Sequence, residues 1–150
     1  MSKLVVFFSA EARKTAKVAS DLAEKIGADI FEIEPVTPYT KADLKYINPF
    51  ARCNREKLGK KDVPITDKVS NWDSYDTVYL GFPIWYYSAP NIINTFCKDY
   101  DWSGKKVYIF ATSGSSGLGK TKQRLKPFMK GADIIDAKRV VSIEELTNWE

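Results

Sequence analysis

Three short segments of the 150-residue chain carry side chains suited to holding a ligand. The first is Ser9-Ala10-Glu11-Ala12-Arg13-Lys14-Thr15, which joins an apolar stretch to a helical one. Its amides and the positive end of the following helix can face a phosphate, and Ser9 and Thr15 add hydroxyl donors. The same residues also suit a plain capped connection with solvated charges. The second segment, Gly81 to Pro90, contains Pro83, Ile84 and three consecutive aromatics, Trp85, Tyr86 and Tyr87. A flat conjugated ring stacks well on such side chains. The alternative is that they cover the end of the core or form a dimer contact. The third segment runs from Thr112 through Ser113, Gly114, Ser115, Ser116 and Gly117 to Gly119. Glycines there let backbone approach a ligand while hydroxyls and amides offer hydrogen bonds.

Gly114 to Thr121 also reads G-x-x-x-x-G-K-T, the phosphate-cradling P-loop pattern between a strand and a helix. Too little chain follows Thr121 for the metal-binding aspartate strand of such a nucleotide hydrolase. Ile134-Ile135-Asp136 is a poor substitute, so this reading ranks last.

Other chemistries are absent by composition. The chain has no histidine, which excludes Ser-His-Asp and Cys-His nucleophilic sites and His-containing zinc sites. Cys53 and Cys97 are spaced unlike a metal-binding pair and are expected to be reduced core thiols; no metal is expected. The net charge of +4 is spread along the chain, and the densest basic stretch, Arg52 to Lys61, lacks interleaved aromatics. No nucleic-acid partner is therefore expected. No apolar run approaches the roughly 20 residues of a membrane span. The run Leu4 to Phe8 is too short for a secretion signal, so a cytoplasmic protein without membrane contact is expected.

Elements positioning the three segments follow from hydrophobic patterning. Strands are predicted at Lys3 to Phe8, Asp29 to Ile33, Thr77 to Phe82, Lys106 to Thr112 and Ile134 to about Val140. Most are continuous apolar runs, as in parallel strands covered on both faces. Helices are predicted from Thr15 to Ile26, where Val18, Leu22 and Ile26 recur and Gly27 supplies a stop, and from Pro90, capped by Ser88, with Ile92, Ile93 and Phe96 inward. Further helices are predicted from near Gly119 to Gly131, over Lys41 to Tyr46 behind Thr40, and from the Ser142–Glu145 capping box through Trp149. Strands alternating with helices specify one α/β domain over residues 1–150, with right-handed crossovers. In such a sheet, ligands sit beyond the carboxyl ends of the strands, where all three segments fall.

With these residues in view, the chain resembles the flavodoxin family, in particular short bacterial flavodoxin-like proteins with a G-F-P-I-W-[WY] segment. Leu4 to Ser9, Phe31-Glu32-Ile33-Glu34-Pro35, Gly81 to Phe96 and Thr112 to Gly119 carry the likeness. The resemblance implies a doubly wound five-stranded parallel sheet of order 2-1-3-4-5 with helices on both faces. It further implies one noncovalent FMN, with its phosphate on Ser9 to Thr15, its ring flanked by Pro83 to Tyr86 and stacked on Trp85 or Tyr86, and its ring edge or ribityl chain on Ser113 to Gly117. Family phosphate loops read S-x-T-G-x-T. Here Glu11, Ala12, Arg13 and Lys14 separate Ala10 from Thr15, one residue longer and without the glycine. Arg13 and Lys14 can compensate by charge, whereas Glu11 opposes an anion unless it faces solvent. The implied function is a low-potential one- or two-electron carrier, serving a redox partner protein or an NAD(P)H-linked reductase, as monomer or homodimer. The alternative on the same fold is an NAD(P)H-dependent quinone or nitro reductase.

Overall fold

A computed structural model of the chain describes residues 2–8, 14–34, 65, 69, 71–83, 91–112 and 125–140. Five strands, β1 (Ser2–Phe7), β2 (Asp29–Glu32), β3 (Tyr75–Pro83), β4 (Lys106–Thr112) and β5 (Asp133–Val140), form one sheet of order β2-β1-β3-β4-β5. Every neighbouring pair is parallel, as the apolar runs require. Two helices, α1 (Lys14–Ile26) and α2 (Asn91–Lys98), are described between strands.

Side chains alternate across the sheet and divide the core in two. On one face Val5 and Phe7 of β1, Tyr79 of β3 and Phe110 of β4 pack with Val18, Ala19, Leu22 and Ala23 of α1. On the other, Leu4, Val6, Val78, Leu80, Phe82, Val107 and Ile109 pack with Ile92, Ile93, Phe96 and Cys97 of α2. The helices thus cover opposite faces, giving the doubly wound architecture expected from the sequence.

Helix α1 ends as its glycine requires. Gly27 takes φ +67, and the Ala28 N–H donates to the Ala23 carbonyl at 2.9 Å, the six-residue closure of a Schellman end. The expected helix up to Gly131 is corrected in its last part: by Lys126–Phe128 the chain is a 3₁₀ turn. Pro127 has no N–H to give a helical bond, so the turn tightens, with Met129 N–H on the Lys126 carbonyl at 3.1 Å. Gly131, at φ +84, then turns the chain into β5. The helices expected at Lys41 to Tyr46 and at Ser142 to Trp149, the Pro90 cap and Cys53 lie outside the described residues.

Strand β3 is longer than its apolar pattern implies, because its start is held by buried polar contacts. A 3₁₀ turn, Trp72–Ser74, precedes it, and Lys105, only 6% exposed, donates its ammonium to the carbonyls of Trp72 (3.1 Å) and Tyr75. The same ammonium lies 4.9 Å above the Trp72 ring. Cys97 is fully buried and its thiol is pushed well above the ordinary range by desolvation, so it stays protonated, as expected of a core cysteine.

Candidate cofactor site

The strand order itself defines a crevice. From β1 the chain passes through α1 to β2 on one side, and β3 then joins β1 on the other, so connections depart in opposite directions on either side of the β1–β3 gap. Register sets the three central strand ends side by side: Phe7 faces Gly81, and Pro83 faces Thr112. The Phe8 N–H extends the ladder by donating to the Gly81 carbonyl at 3.0 Å. Chain segments 9–13, 84–90 and 113–124 therefore all leave from one edge, as the sequence implied.

Two of the predicted site residues are seen in full. Thr15, in the first turn of α1, is 2% exposed, and Pro83 ends β3, where a residue lacking an N–H closes a strand. Lys14 is described only as the first residue of α1. Ser9, Ala10, Glu11, Ala12, Arg13, Ile84, Trp85, Tyr86, Ser113, Gly114, Ser115, Ser116 and Gly117 lie outside the described residues, as does the P-loop-like stretch.

Two residues not assigned from the sequence shape this edge. Thr112 ends β4, is 6% exposed, and its hydroxyl meets that of Thr15 at 2.7 Å across 97 residues of chain. The signal was a lone hydroxyl closing an otherwise apolar strand end, Ile109-Phe110-Ala111. Gly81 is the other: a Cβ there would collide with Cζ and Cε2 of Phe110 and stand 2.8 Å from its Cε1. Only glycine lets the fully buried Phe110 ring lie across β3.

The donor set fits a phosphorylated ligand. Unpaired amides of the first turn of α1 point at the crevice edge, and the buried hydroxyl pair has two protons, of which its mutual bond uses one. Among the described residues there is no cluster of three or more His, Cys, Asp and Glu side chains that could hold a metal ion, and no helix is long and apolar enough to cross a membrane. Cavities bounded by described residues lie elsewhere; one of about 500 Å³, lined by Trp72, Tyr100 and Asp101, sits at the amino ends of β3 and β4.

Known proteins agree with this geometry. A solved candidate flavoprotein from Bacteroides uniformis is 36% identical to the chain, covering 99% of it and 96% of its own length, with TM-score 0.90. A second, from Bacteroides eggerthii, is 34% identical with the same coverage and TM-score 0.90. A flavoprotein from Lactobacillus acidophilus, solved in complex with FMN, shares the fold at 18% identity and TM-score 0.72, each chain covered over 99%. No curated protein matches the chain. The family model Flavodoxin matches residues 2–150, and the chain belongs to the flavodoxin family.

Proposed function

We propose that the chain is an FMN-binding electron-transfer protein whose task is to hold the cofactor and present it to a redox partner. FMN comes with the family, and the crevice edge supplies the matching groups: helix amides and buried hydroxyls for a phosphate, and the exit of the Trp85–Tyr86 segment beside them. When bound, FMN supplies the redox chemistry and the protein supplies position and environment.

The observation that favours a carrier over a reductase concerns the ends of the three central strands. Phe8, Pro83 and Thr112 carry no group that titrates near neutrality, so none of them is a proton donor or acceptor for an organic substrate. Electron transfer alone needs none. The partner is a redox protein or an NAD(P)H-linked reductase. Steady-state NADPH oxidation with a quinone acceptor separates the readings: no turnover by the FMN-loaded protein is expected, and quinone-dependent turnover would establish the reductase instead.

A further inference from the structure

We infer that Thr112 is a positioning residue for the cofactor phosphate, acting through Thr15; this rests on the FMN reading given above. The two hydroxyls are 2.7 Å apart, and both side chains are more than nine-tenths buried. They join elements remote in sequence: Thr15 stands at the amino end of α1, while Thr112 ends β4 and opens the glycine–serine segment. Thr112 is also paired in register with Pro83 on one side and Val140 on the other, so the bond ties the helix start to the frame from which the other two cofactor segments leave.

Its chemistry is directional. Two hydroxyls carry two protons, and their mutual bond holds one. If Thr112 donates to Thr15, the Thr15 proton is turned outward among the unpaired first-turn amides of α1, where a phosphate oxygen accepts it in a charge-assisted bond. Removing the Thr112 hydroxyl leaves that of Thr15 to satisfy itself inside the core, for instance on a backbone carbonyl, and turns its proton away from the phosphate. The effect is confined to the phosphate. Riboflavin, which has the same ring and ribityl chain without the phosphate, does not use the contact.

The test is the affinity of apoprotein for FMN and for riboflavin in Thr112→Val, which keeps shape and removes the hydroxyl, and in Thr112→Ser, which restores it. Thr112→Val is expected to weaken FMN about tenfold or more and riboflavin by less than about twofold, with Thr112→Ser returning FMN to near the parent value. Equal weakening of both ligands, or unchanged FMN affinity, would overturn the inference. Should Thr112→Val fail to fold, the pair Thr15→Val and Thr112→Val leaves no orphaned hydroxyl and decides by the same split. Loss of the preference for FMN over riboflavin supports the role, and its retention refutes it. A parent protein that takes up neither flavin would instead bring down the FMN reading itself.

Discussion

Gly81→Ala perturbs the sheet where the three cofactor segments depart. The added methyl would lie within 2.8 Å of Phe110 Cε1 and closer still to Cε2 and Cζ, whereas relaxed carbon contacts are about 3.5 to 4.0 Å. The ring or strand must therefore move by about 1 Å. Phe110 is 0% exposed and packs in one cluster with Phe7, Tyr79 and Val140, so no open space receives it. Overpacking of this kind costs about 1 to 3 kcal/mol. With a urea slope of about 2 kcal/mol/M, the unfolding midpoint, followed by far-ultraviolet circular dichroism, should fall by about 0.5 to 1.5 M. The smaller ring-free side chain of Phe110→Leu should accept the methyl, so Gly81→Ala is expected to cost at least about 0.5 kcal/mol less in that background. Strict additivity, or a Gly81→Ala midpoint equal to the parent's, would refute the reasoning. FMN affinity should fall with Gly81→Ala, because Phe8 donates to the Gly81 carbonyl and a shifted β3 moves the spacing of the loops.

Lys105→Met keeps the aliphatic stem and withdraws the ammonium from the Trp72 and Tyr75 carbonyls; a loss of about 2 to 3 kcal/mol in urea unfolding is expected, and a change below about 0.5 kcal/mol would contradict the pinning role. Trp85→Ala with Tyr86→Ala should weaken FMN by about 1 to 3 kcal/mol through lost stacking and burial, read by titration, while unchanged affinity would make the segment structural. Alkaline pH should destabilise the fold through Tyr79, which desolvation, with a smaller contribution from Tyr108, pushes up to about 12. The neutral phenol is favoured by folding, so its contribution is intact below about pH 10 and is lost as pH rises toward about 12. Urea midpoints across that window should fall more steeply in the parent than in Tyr79→Phe, and parallel curves would exclude Tyr79 as the source.

Much of this frame was legible in the sequence because each strand solves its burial locally. Lys106 to Thr112 alternates between two buried faces without a polar interruption, and its ends coincide with β4. Gly27 marked the end of α1 because only a left-handed residue closes that turn cheaply. What pattern did not show were features decided by distant partners. The extension of β3 back to Tyr75 depends on Lys105, which composition marks only as another exposed charge. The turn at Lys126–Phe128 follows from Pro127 overriding a helical pattern that seemed to run to Gly131. In β5 the register slips between Val107 and Tyr108, leaving Ile135 unmatched and 44% exposed on an edge that hydropathy marks as core. At the site, the segments themselves were found by residue type, but the Thr15–Thr112 bond spans 97 residues and has no local signature.

Titration of purified apoprotein with FMN, followed by quenching of flavin fluorescence, tests the cofactor assignment most directly. A ligand of about 30 non-hydrogen atoms gaining about 0.3 kcal/mol from each reaches roughly 9 kcal/mol, which is sub-micromolar affinity. One FMN per chain with a Kd below about 1 μM is the expected result, and a protein that leaves FMN fluorescence unchanged at about a hundred times that concentration would contradict it.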